Sequence, residues 1–308
     1  MKPRHRQRGV AVLTAMLVVT LGTMIAVNLM WISSLDQRRT AAALASEQAL
    51  LYLQGAEAWV GDILRIDQIE SNESDHLGEI WATEIAPLAV DGGLITGRIE
   101  DLQGRFNLNN LITPQGQVDE LAKRQFERLL ATLQLDPLLA GVVTDWLDAD
   151  SEASFPTGGE DATYAGMDPP YRTANGFVTS PSELLANAGF DLESYRLLAP
   201  YVAALPSGTR LNVNTASDVV LASLSDDIDL SIAAALIEER GGANFPDIAA
   251  SFEGRVEADM LGRIDGVTQY FQLTGTIVLG TYQLTMYSLL ERDPSGLARA
   301  IFRSLGVP

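Results

Sequence analysis

From Val10 to Leu35 the chain carries no Asp, Glu, Lys or Arg. Its apolar part, VAVLTAMLVVTLGTMIAVNLMWI, makes a helix of roughly 34 Å, enough to cross a hydrocarbon core of about 30 Å. No face of it is polar, so it suits a lipid span better than a half-buried core helix. Trp31 lies near the far end, where an interfacial aromatic is favoured. Lys2, Arg4, Arg6 and Arg8 precede Gly9, and the positive-inside rule keeps that end in the cytoplasm. A secretory signal peptide is the rival reading, but its shorter apolar core ends in small residues at a cleavage site. Here the helical pattern continues. ISSLDQRRTAAALASEQALLYLQGAEAWVGDIL has no Pro and no turn cluster. Leu44, Leu51, Tyr52, Gly55, Trp59, Ile63 and Ile66 recur at spacings of three, four and seven, which predicts one apolar stripe. Arg38, Arg39, Glu47, Gln48 and Glu57 mostly lie off it. The expectation is one helix of about 55 residues, roughly 80 Å long, with Gly22 and Asn28 as weak points.

The body beyond this helix is acidic. The 308 residues hold 40 Asp and Glu against 21 Lys and Arg, and four of those bases precede Gly9. Such a body repels phosphate backbones, so nucleic acid is disfavoured as a partner. There is no Cys, which removes thiolate nucleophiles and thiolate metal sites. Only His5 and His76 are available for acid–base work, and neither G-x-S-x-G nor H-E-x-x-H occurs. A calcium-dependent hydrolase therefore has little to rest on, and the expectation is a protein that is not an enzyme.

Periodicity divides the body. SNESDHLGE reads as a polar loop, and residues 94–110 alternate as strand, turn and strand around Gln103-Gly104. VDELAKRQFERLLATLQL is an amphipathic helix with Asp119 as N-cap, followed by a helix starting at Asp136-Pro137. Residues 151–181 have no periodic run. SPSELLANAG, DLESYRLLAPY, SDVVLASL, LSIAAALIEERGG and FPDIAASFEGR read as helices. The last forty residues return to alternation as three strands, with turns at Gly280 and at Pro294-Ser295-Gly296. The fold class is α+β: a sheet on the long helix, interrupted by a large all-α insertion over 111–266.

Two patterns in the body stand out. DWLDADSEASFPTGGEDATYAGMDPPY gathers Asp145, Asp148, Asp150, Glu152, Glu160, Asp161 and Asp168. Oxygen-only ligands on a Gly-rich loop suit calcium. The spacing Asp148-x-Asp150-x-Glu152 imitates half an EF-hand loop, then fails at Ala153 and Gly159. A solvated acidic loop and a calcium site both remain open on this reading. The second pattern is Asn-x-Asn, in GRFNLNNL and LNVNTAS, read as local turn locks with Thr215 capping a helix at Ala216. LNVNTASDVVLASL with the helix after it looks like a helix-hairpin-helix unit. Its hairpin, LSDDIDL, holds Asp226, Asp227 and Asp229 where phosphate-binding versions need bare backbone. A membrane-anchored nucleic-acid receptor is thus the alternative, against the charge.

A basic leader ending in Gly9, then an apolar helix that turns amphipathic, resembles the type IV pilins and the pseudopilins of type II secretion. The stretches GRFNLNNL, DWLDAD, GGEDATY, PPYRTANGF, SELL and LNVNTAS extend the resemblance over essentially the whole chain, to the K-type minor pseudopilins. That resemblance implies a prepilin leader at 1–9, cut by prepilin peptidase between Gly9 and Val10, with methylation of the new N-terminus. It implies a single pass through the inner membrane at 10–35, with the N-terminus cytoplasmic and the bulk periplasmic. A pilin-like α/β domain at 36–110 and 267–308 would then carry the inserted domain at 111–266. The family usually has Glu as the fifth mature residue, paired with the amine of the subunit above; here that position is Thr14, as suits a subunit with nothing above it. Its implied role is at the pseudopilus tip, initiating or capping assembly for export across the outer membrane. The implied partners are the other minor pseudopilins in a ternary tip complex, the peptidase, inner-membrane components of the secretion machine and membrane lipid. The family's calcium-holding loop points to Ca²⁺ on Asp148, Asp150, Glu160, Asp161 and Asp168, with Glu152 as a further candidate.

Overall fold

The computed structural model describes residues 8–71 and 74–306; most of the expected leader lies outside them. One helix, α1 (Arg8–Ser71), runs unbroken for 64 residues, so Gly22 and Asn28 do not interrupt it. Its most apolar stretch has a mean hydropathy of 2.4 and buries nothing against the rest of the chain. Within it Thr14, Thr20 and Thr23 donate their hydroxyls to the carbonyls four residues back, which satisfies them without water.

The outer half of α1 lies on a five-stranded antiparallel sheet. The strands stand in the order β1 (Leu88–Val90), β2 (Gly93–Asp101), β7 (Tyr270–Leu279), β8 (Tyr282–Arg292) and β9 (Ala298–Leu305). β1 was not legible as a strand; it folds back on β2 through Asp91-Gly92, where Gly92 takes φ +84°. Ala49 and Leu53 pack on Ile95, Ile277 and Met286, and Val60 and Leu64 on Ile99, Phe271 and Leu290. Glu57 lies on this same buried face, where it accepts hydrogen bonds from Ser288 (2.6 Å) and Arg303 (2.7 and 2.8 Å). The expected stripe is therefore corrected. Leu44, Leu51, Trp59 and Ile66 are exposed. They lie round the helix from the face that meets the sheet, because α1 carries apolar residues on two sides.

The chain leaves the sheet after Asp101 and returns at Tyr270, and the segment between builds two apolar cores. The first lobe holds β3 (Phe106–Asn107), α2 (Glu120–Thr132), α3 (Leu139–Leu147), α4 (Asp161–Tyr164), α5 (Leu192–Leu198) and β4 (Val202–Ala203). Phe106 stacks on Phe126 at 5.1 Å in its centre. The second holds β5 (Leu211–Asn212), α6 (Asp218–Ala222), α7 (Leu230–Arg240), α8 (Ile248–Phe252), α9 (Ala258–Leu261) and β6 (Ile264–Asp265) around Leu221, Leu236 and Phe252. Asp119, Asp191, Asp229 and Asp247 accept backbone N–H groups at the starts of α2, α5, α7 and α8.

Three expectations change. Residues 106–110 do not continue the sheet: Phe106 and Asn107 pair in parallel with Val202 and Ala203 of the insertion. Ser217, not Thr215, caps α6. SNESDHLGE is not simply a polar loop, because Asp75 and Glu79 are buried.

Candidate metal centre

α3 ends where Asp148 turns into extended backbone, φ −74° and ψ 168°, and this swings the chain into the acidic loop. An aromatic cluster beneath the loop fixes its path. Trp146 meets Tyr164 at 5.2 Å, Tyr164 meets Tyr171 at 5.2 Å, and the Tyr171 hydroxyl donates to the Ala186 carbonyl at 2.8 Å. Asn109 ties down the far end, taking the Val178 N–H at 2.9 Å and donating to the carbonyls of Val178 and Leu205, both at 2.9 Å. Asn107 takes the Leu205 N–H and donates to Pro206. The Asn-x-Asn motifs are thus long-range straps rather than only local locks.

The fold brings Asp148, Asp150 and Glu160 together, with carboxylate oxygens within 4.8 Å of one another. Asp148 and Glu160 are buried, and among the described residues Asp148 Oδ1 and Glu160 Oε1 have no hydrogen-bond partner. Burial, and then repulsion by Asp150, Asp145 and Glu160, push the Asp148 carboxyl up to about 6. Burial raises Glu160 as well, against the Thr173 hydroxyl that donates to it at 3.2 Å. Unpartnered buried carboxylate oxygens are costly. Oxygen donors of this charge and spacing fit a hard divalent cation such as calcium.

The other expected ligands stand apart from this group. Asp161 Oδ1 accepts from the Thr173 N–H (3.2 Å) and hydroxyl (3.1 Å), and its Oδ2 lies 3.7 Å from Arg172. Glu152 and Asp168 are exposed. Glu152 contributes its main-chain N–H, to Asp150 Oδ1 at 2.8 Å. Two residues outside the expected ligand set shape the site. Asp145 is fully buried; its Oδ2 takes the N–H groups of Ser154 (2.9 Å) and Gly159 (3.0 Å), and its Oδ1 is unpartnered among the described residues. Asn175, at φ +45°, donates to the Asp150 carbonyl at 2.8 Å, while its buried Oδ1 is likewise unpartnered there. The Asn175-Gly176 pair was the available signal, as a turn that tolerates this backbone.

In the other lobe two acids of the hairpin are engaged within the chain. Asp226 pairs with Arg128 at 2.7 Å and Asp229 caps α7.

Family models described as "Type II secretion system (T2SS), protein K" match residues 104–207 and 211–259. The chain is 36% identical to a type II secretion system protein K of Pseudomonas aeruginosa, covering 98% of this chain and 94% of that one. It is 34% identical to the Klebsiella pneumoniae protein K, covering 94% of each. With the Aeromonas hydrophila protein it shares 38% identity over 68% of each chain. Its fold is similar to a chain in the crystal structure of the GspK–GspI–GspJ complex of enterotoxigenic Escherichia coli. The TM-score is 0.79 at 25% identity, covering 88% of this chain and all of the other.

Proposed function

This chain belongs to the protein K family of the type II secretion system, and from that premise we propose that it starts or caps the pseudopilus at its tip. It is a minor pseudopilin; the proposal concerns where it stands and what it does there. The observation that carries it is α1. From Val10 to Leu35 it is uncovered and carries no charge, and its outer half keeps Leu44, Leu51, Trp59 and Ile66 exposed on the side away from the sheet. An apolar helix face of that length calls for lipid and neighbouring helices. The two-lobed insertion adds bulk that suits an end of a fibre better than its shaft. Thr14 closes its hydroxyl onto its own helix and offers no charge to an amine overhead.

In this reading prepilin peptidase cuts before Val10 and the new N-terminus is methylated. The chain crosses the inner membrane once, with its bulk periplasmic, and it joins the other two minor pseudopilins to support export across the outer membrane. Asp148, Asp150 and Glu160 hold calcium, which orders the loop around them. The work is mechanical and asks no catalysis of the chain. Co-purification from membranes tests the assembly: the mature chain should begin at Val10 and bring the two other minor subunits with it. Immunolabelling at intervals along the fibre, rather than at one end, would refute the tip position. Saturating calcium at a hundredfold over its Kd should add about 2.7 kcal/mol of stability. An unchanged Tm on chelation would remove calcium from the account.

A further inference from the structure

Three carboxylates crowd one arginine where the long helix, the insertion and the sheet meet. Arg292, at the end of β8, is buried. Its Nη2 donates to both oxygens of Asp75 (2.5 and 2.6 Å) and to the Thr268 carbonyl (2.8 Å), and its Nη1 donates to Asp67 (3.1 Å). The guanidinium also lies over the ring of Phe271 at 4.8 Å. Asp67 comes from the end of α1, and Asp75 and Glu79 from the segment after it. Oxygens of all three lie within 4.8 Å of one another. Glu79 Oε2 accepts from Trp81 (2.7 Å) and from the His76 N–H (3.1 Å). The buried Glu79 Oε1 has no hydrogen bond among the described residues, and the His76 imidazole stands 3.8 Å away.

Asp75 also holds the insertion. It donates its N–H to the Gly266 carbonyl (2.7 Å), accepts the Thr268 N–H on Oδ2 (2.7 Å), and accepts the Asn212 amide on its carbonyl (3.0 Å). Asp101, on β2, takes the Thr268 and Thr215 hydroxyls and the Asn212 amide close by. Among the described residues, the charged and titratable groups that these contacts bring to the joint are Asp67 from α1, Asp75, His76 and Glu79 from the connecting segment, Asp101 from β2 and Arg292 from β8. Fully ionised, the carboxylates outnumber the guanidinium in a space closed to water. Such an excess is unfavourable, and binding a proton relieves it.

We propose that Asp67, Asp75, Glu79 and Arg292 form a proton-operated latch, which clamps the insertion's return segment to the end of α1 while the cluster holds a proton and loosens when the proton leaves. The direction comes from burial. Burial, then repulsion from Glu79 and Asp75, push Asp67 up to about 7 against the pull of Arg292. Burial also raises Asp75, and it brings Asp101 to about 6. A carboxyl that binds its proton more tightly folded than unfolded adds stability at acid pH, and loses it as pH rises from about 4 towards its folded value. The joint is thus firmest near pH 4, loosens steadily as pH rises, and is weakest above about pH 7.5.

Hydrogen exchange on the full chain in detergent, with calcium saturating so that the acidic loop stays constant, tests this. After correction for intrinsic rates, the amides of Thr268 and Gln269 should exchange about tenfold faster at pH 8.5 than at pH 6, the equivalent of one pKa unit. Asp67→Asn removes one negative charge and should flatten that dependence, keeping low-pH protection at pH 8.5. Glu79→Gln should do the same by an independent route. Equal protection at both pH values in the wild type, or an undiminished pH dependence in both variants, overturns the latch.

Discussion

Gly158 has no room for a side chain. A Cβ there would stand 2.1 Å from Asp145 Oδ2 and 2.3 Å from the Ser154 nitrogen. The carboxylate of Asp145 and the loop it gathers have closed over that position. Gly158→Ala must push the loop away from Asp145, at a cost of about 1–3 kcal/mol. Thermal unfolding should show that loss. If the loop holds calcium as proposed, titration should show weaker binding as well, since Gly159, held by Asp145, leads directly into Glu160. An unchanged Tm and an unchanged calcium affinity would mean that the loop is not built on Asp145. That carboxylates gather at this loop was legible in the sequence, because they fall at short spacing. The membership was not. Glu152, Asp161 and Asp168 are as acidic as the residues that converge, and only the turn after α3 and the Asn109 strap decide which side chains point inward. Asn109 itself read as a local lock because its partners, Val178 and Leu205, lie 69 and 96 residues away.

At the level of elements, period-two alternation marked β7, β8 and β9 correctly, since one face of each strand meets α1. The continuity of α1 was also visible, because a run without Pro and with apolar residues at every turn has little choice, although the helix runs to 64 residues rather than about 55. Its phase was not visible. Ala49, Leu53, Val60 and Leu64 form one apolar line and Leu44, Leu51, Trp59 and Ile66 another, and the larger side chains pointed to the wrong one. The sheet chose the line with small Ala49 in it, where close approach is needed, and Glu57 joined that line because Arg303 and Ser288 satisfy it. The two lines should respond differently to truncation. Leu53→Ala opens a cavity in the helix–sheet core and should cost about 2–5 kcal/mol in the chain alone. Trp59→Ala and Leu51→Ala touch exposed positions and should change that stability by no more than about 0.5 kcal/mol. Both should nevertheless reduce recovery of the other minor pseudopilins in pull-downs from membranes. If they leave recovery intact, the uncovered line is not an assembly surface.

For the whole molecule, the decisive geometry is that the insertion enters and leaves at one place. Asp101, the last residue of β2, stands opposite Phe271 in the antiparallel ladder with β7. The Leu102 N–H donates to the Tyr270 carbonyl at 3.0 Å as the next rung, and neighbouring strands lie about 5 Å apart, so a two-residue turn can join Leu102 to Tyr270 without moving either strand. Among the described residues, neither core between α1 and the sheet uses one from between those two positions. A chain in which residues 103–269 are replaced by Asn-Gly should therefore keep the sheet, and circular dichroism should show cooperative unfolding with strand signal retained. It should also be less stable than the full chain. Excision removes Thr268, Gly266 and Asn212 from Asp75, which leaves Arg292 and the carboxylates partly open to water. That exposure supplies an internal control. The wild-type pH dependence of stability assigned to the buried cluster should shrink in the excised chain, because water then solvates the excess charge. An excised chain that does not fold at all would mean that the insertion is a required part of the sheet's foundation rather than a guest upon it.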